Sequence, residues 1–113
     1  MAGEVLHEER EELGPEVLDR HRAISTIMEE LEAIDWYDQR IKASSNRELQ
    51  AVLLHNRNEE KEHCSMVLEW LRRHDEEFNA YLRTYRSARD RSGRPAHRPK
   101  RPRRPAAAFR LAV

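Results

Sequence analysis

A chain of 113 residues has room for one small domain. Its 21 Lys and Arg offset its 21 Asp and Glu. The offset is not local, however: residues 1–90 hold every acid beside 13 bases, about −8, and residues 91–113 hold the other 8 bases and no acid, about +8. The single Cys64 excludes an internal disulfide framework and fits a reducing, cytoplasmic setting. No apolar run approaches the ~18 residues of a membrane span, and the N-terminus lacks a signal-peptide core. Three glycines and few β-branched runs mark the body as all helix.

Residues 1–14 (MAGEVLHEEREELG) are acidic and read as a flexible arm, with a short frayed helix as the alternative. Gly14-Pro15 interrupts the pattern, and Pro15 suits the first position of a helix. The first helix is expected from about Pro15 to Lys42. Its apolar seam is Ala23, Ile27, Ile34, Tyr37 and Ile41, with Ile24, Met28 and Leu31 as the neighbouring row. The position missing from that seam is residue 30, and it is Glu30: a carboxylate set into an apolar stripe.

Ala43-Ser44-Ser45-Asn46 reads as a turn. Ser45-Asn46-Arg47-Glu48 has capping-box spacing, which starts a second helix at about Asn46 and carries it to about His74. The seam of this helix is Leu49, Leu53, Asn56, Glu60, His63, Val67 and Trp70, polar in the middle and apolar at both ends. If the chain reverses near Ser45, residues whose numbers sum to about 90 lie level. Glu30 and Glu60 satisfy that relation, each about 22 Å from the turn at ~1.5 Å per residue.

Asp75 is placed to cap a third helix, about Glu76 to Arg89. Phe78, Tyr81, Leu82 and Tyr85 form its apolar stripe, to be packed against the hairpin or a neighbouring subunit. The hairpin domain therefore spans 15–89. Residues 90–113, rich in Arg and Pro, read as a disordered basic tail whose last eight residues, AAAFRLAV, form either a docking peptide or a weakly structured end.

Glu60-x-x-His63 puts a carboxylate and an imidazole one helical turn apart. In a helix this charged, such a pair is ordinarily a solvated face. Here it lies on the seam, level with Glu30, and buried charges are costly unless paired or bound to metal. Di-iron helical bundles take one Glu from each of two helices and a Glu-x-x-His from each of the other two. One chain supplies one of each, so two hairpins related by a two-fold axis would complete both site and bundle. The expected centre holds two metal ions between the subunits on Glu30, Glu60 and His63. Iron suits these oxygen and nitrogen donors best, with manganese and zinc as alternatives. The chemistry would be oxidation of Fe(II).

Other residues carry less. Cys64 lies about 100° around the helix from His63 and reads as packing. Asn56 could fix register or hold a hydrogen bond behind the ligands, Trp70 reads as core, and His55, one row off the seam, could touch metal or acids. Two further readings compete with metal chemistry. One is a structural helical oligomerisation module whose polar seam sets register; the other is non-specific polyanion binding through residues 91–113, with no specific nucleic-acid recognition.

The segments HRAISTIMEELEAIDWYDQR (His21–Arg40), HNRNEEKEHCSMVLEWLRR (His55–Arg73) and LRTY (Leu82–Tyr85) resemble the encapsulated ferritins, cargo of encapsulin nanocompartments. The resemblance covers roughly residues 15–86. It implies an all-α fold, an antiparallel two-helix hairpin plus a short third helix, dimerising into a ferritin-like four-helix bundle, with pairs forming an open ring, commonly a decamer. It also implies ferroxidase activity at a di-iron centre matching Glu30, Glu60 and His63. Glu29 and Glu32 match the acids that admit metal, with Trp36 beside the path and Tyr37 near the centre. Tyr37 could donate a hydrogen bond to a ligand carboxylate, although core packing explains it as well. Iron mineral would be stored by the encapsulin shell in the cytoplasm. Members usually end in a loading peptide with a Gly-Ser-Leu core, whereas this chain ends FRLAV.

Overall fold

The structure, a computed structural model, describes residues 5–87. The basic tail expected over 90–113 lies outside the described residues. Three helices follow in order: α1 (Arg10–Ala43), α2 (Arg47–His74) and α3 (Glu76–Ser87). Among the described residues there is no strand. The chain is all-α, in agreement with the class read from its periodicity.

The helix starts and stops have local causes. At Gly14 the backbone takes φ 74 and ψ 167, which breaks α1 into a short turn, Arg10–Leu13, and the long helix beyond. That conformation is open to glycine and strained for other residues. The expected break at Gly14-Pro15 is therefore present, but helical structure already begins at Arg10. At the far end of α1 the Ser44 N–H donates to the Arg40 carbonyl at 3.0 Å.

The cap of α2 differs from the expected Ser45–Glu48 box. Asn46 is the capping residue: its Oδ1 accepts from the Leu49 N–H at 2.9 Å, and its own N–H donates to Ser44 Oγ at 3.2 Å. Asparagine caps as well as serine does, and its position decides. Replacing Asn46 with alanine should destabilise the fold by about 1 kcal/mol. In a domain this small that lowers Tm by roughly 4–8 °C, readable by circular dichroism.

The chain divides into two units, residues up to Leu71 and residues from Arg72. In the first, α1 and α2 are joined by three residues, Ser44–Asn46, and run antiparallel. Gln50 Nε2 donates to the carbonyls of Ile41, at 3.1 Å, and of Ser44, closing the turn. Farther along, Arg57 Nη1 donates to Asp38 Oδ1 at 2.9 Å across the two helices. Among the described residues, Ala23, Cys64 and Leu71 are the buried apolar side chains. Most of the rest of the seam is half-covered, Ile27, Glu30, Ile34, Tyr37 and Ile41 on α1 and Leu53, Asn56, Glu60, Val67 and Trp70 on α2, whereas Leu49 and His63 are exposed. One hairpin does not bury its own seam. The neighbouring row stands farther out, with Ile24 45 %, Met28 41 % and Leu31 53 % exposed.

The second unit holds α3. Asp75 caps it as expected, its Oδ1 accepting from the Phe78 N–H at 2.9 Å. Arg72 Nη1 donates to Asn79 Oδ1 at 2.6 Å. Phe78, Tyr81, Leu82 and Tyr85 line a shallow apolar groove of about 380 Å³ along the helix.

Candidate metal centre

Glu30 comes from the middle of α1, and Glu60 and His63 from successive turns of α2. The antiparallel pairing brings the three together: one ligand atom of each lies within 4.8 Å of the others. Among the described residues this is the one group of three or more His, Cys, Asp or Glu so gathered. Both carboxylates are half-buried, whereas His63 is exposed. Its Nδ1 stands 3.7 Å from Glu60 Oε2, too far for a hydrogen bond. Two donors each ~2.1 Å from a shared ion stand roughly 3–3.6 Å apart, so a small contraction of this group would seat one cation.

The donor chemistry fits a divalent first-row metal. Two carboxylates carry two negative charges, which one such ion offsets, and a neutral imidazole completes an oxygen and nitrogen set. No thiolate joins it. Cys64 is buried, and that burial pushes its thiol above the ordinary range, which disfavours the form that would bind metal.

The other sequence candidates are not members of this group. Glu29 is exposed and Glu32 half-buried. Trp36 is 48 % exposed and Tyr37 half-buried. The Arg40 guanidinium lies 5.8 Å from the ring centroids of both Trp36 and Tyr37. Sequence reasoning passed over this contact, although the i,i+4 and i,i+3 spacings carry it. His55, one row off the seam, meets an acid as expected, Glu59 at 2.8 Å, and is not part of the triad. Arg57–Asp38 was also missed; an arginine beside a polar seam was its only signal.

A helical hairpin with this fold falls in the all-α, ferritin-like class. The profile of the EncFtn-like family matches residues 5–88, and the chain belongs to that family. Over 79 residues, 70 % of this chain, it is 61 % identical to a protein of Rhodospirillum rubrum named "Encapsulated ferritin-like protein". That match takes in 56 % of the R. rubrum protein, so the chain spans little more than half its length. A Thermotoga maritima "Ferritin-like protein" is 43 % identical over 79 residues, covering 70 % of this chain and 69 % of that protein. A crystal structure of a Nitrosomonas europaea protein superposes with a TM-score of 0.68 at 51 % identity, covering 71 % of this chain and 88 % of the other.

Proposed function

We propose that this chain is a ferroxidase, oxidising Fe(II) to Fe(III) at a di-iron centre that two subunits share. The observation that carries the reading is the convergence of Glu30, Glu60 and His63 within 4.8 Å. One chain supplies one Glu and one Glu-x-x-His, half of what a di-iron bundle uses. The exposed row Ile24, Met28 and Leu31 supports the same conclusion, because an uncovered apolar face on the same hairpin asks for a second copy.

In this reading ferrous ions are the substrate. Glu30 and Glu60 attract them, offset their charge and stabilise the more highly charged ferric product. His63, offering a neutral nitrogen, fixes the position of each ion. Each iron gives one electron to dioxygen, which takes up one proton for each electron accepted. Glu29 and Glu32, near one another on α1, would admit iron, with Trp36 beside the path and Tyr37 packed near the centre. Pairs would assemble into a ring of the kind the family resemblance implies, a decamer. The name of the R. rubrum relative supports a place inside an encapsulin shell, which would store the mineral in the cytoplasm. No helix among the described residues is long and apolar enough to cross a membrane.

Anaerobic addition of Fe²⁺ tests the activity. The full chain should bind about one iron per chain by the half-site argument, and oxygen should be consumed when air is admitted. A chain that binds no iron, or binds it and consumes no oxygen above the buffer rate, contradicts the proposal.

A further inference from the structure

Glu30 and the pair Glu60–His63 sit on different helices, so their meeting depends on how far α1 is shifted along α2. Little in the apolar contact sets that shift. Of the apolar side chains buried in the hairpin, Ala23 and Cys64 are small and Leu71 lies toward the end away from the turn, and apolar contact is non-directional. Gln50 fixes only the turn end. The site is about 22 Å farther on, at ~1.5 Å per residue. A slip of one helical turn, ~5.4 Å, exceeds the 4.8 Å within which the three ligand atoms are gathered.

Among the described residues, the directional contact across the helices between the turn and the site is Arg57 to Asp38 at 2.9 Å. Arg57 is one turn from Glu60 on α2, and Asp38 is two turns from Glu30 on α1. The Arg57 side chain is only 22 % exposed. Its Nη2 reaches Asn58 Oδ1 at 3.3 Å, but its Nε is buried without a hydrogen-bond partner. A largely covered guanidinium with an unsatisfied N–H is a poor source of stability; an apolar side chain of similar volume would do as well or better. What a charge-assisted bond supplies and an apolar contact does not is a defined position along the helix axis.

We propose that the Arg57–Asp38 pair is the register strut of the metal centre, holding α1 against α2 so that Glu30 meets Glu60 and His63. Arg57 and Asp38 are positioning residues and touch neither iron nor oxygen. The proposal rests on the reading of Glu30, Glu60 and His63 as ligands, but the register itself can be measured without metal.

The test uses the full chain with Arg57→Leu, Asp38→Leu, and the exchanged pair Arg57→Asp with Asp38→Arg. Spin labels at Asp35→Cys and Lys61→Cys, in a Cys64→Ser background diluted with unlabelled chain, report the distance between α1 and α2. Without metal, each single variant should broaden that distance or move it by about one turn, ~5 Å, and the exchanged pair should restore it. Far-UV helix content should stay the same throughout. Co²⁺ affinity in the unlabelled chains should fall at least ~10-fold in each single variant and recover in the exchanged pair. An unchanged distance in both single variants overturns the strut whether or not the chain binds metal. A changed distance that the exchanged pair does not restore overturns it too, because packing alone would then explain the loss. If the strut holds while the original chain oxidises no iron, the fault lies with the proposed activity and not with the register.

Discussion

Glu30→Ala should slow iron oxidation by on the order of 100-fold or more while leaving far-UV helix content near that of the original chain. Glu30 is the one carboxylate that α1 contributes to the group, and it lies half-buried in a stripe otherwise made of Ile, Ala and Tyr. Removing it takes away the proposed ligand and a negative charge together. The metal-free fold should not suffer. A carboxylate in an apolar stripe is costly to hold there, so alanine at this position should leave thermal stability equal or raise it. That pairing of outcomes matters: activity falls while stability does not, the reverse of what a core residue would do. Glu30→Gln, which keeps the shape and loses the charge, should fail in the same way. If Glu30→Ala oxidised iron at the original rate, the ligand assignment would be wrong.

Met28→Lys should break the pairing of hairpins and take oxidation with it. Met28 is the middle of the row Ile24, Met28, Leu31, each more than two-fifths exposed in the single chain. In a two-fold interface, residues near the axis meet their own copies, so one substitution buries two like charges. Association should weaken by roughly 100-fold or more, since like charges set face to face cost several kcal/mol. Because the proposed centre is complete only in the pair, activity lost at low protein concentration should return in part as concentration rises. Analytical ultracentrifugation beside an oxidation assay checks both. A variant that stays paired and active would mean that this row does not face the second copy.

Much of the fold was legible because helices announce themselves through spacing. The stripes on Ala23–Ile41 and Leu49–Trp70 carried the two long helices, and Asp75 ahead of Phe78 carried the third. The triad was legible for the same reason. A turn centred near Ser45 makes position a matter of arithmetic, and Glu30 and Glu60 meet in the structure as that arithmetic requires. Contacts made by long, flexible side chains were harder. Arg57 reaches Asp38 from beyond its own level, and Gln50 reaches back to Ile41, neither following from the row a residue occupies. The start of α2 shows a different limit: Ser45 and Asn46 both cap well, and backbone geometry chose between them. Nor did periodicity reveal how much of the seam one chain would cover. Spacing tells which residues share a face, whereas coverage depends on how many helices are present to meet it.

If Glu30, Glu60 and His63 form half of a site that a second copy completes, metal binding and pairing should go together. Native mass spectrometry of the chain, kept anaerobic and recorded with and without Fe²⁺, reads both at once. Iron is expected on species built of paired chains, two ions per pair, and should be lost in Glu30→Ala and His63→Ala. A chain that stays single and metal-free in Fe²⁺, or pairs that hold iron equally well without Glu30, would contradict the shared site.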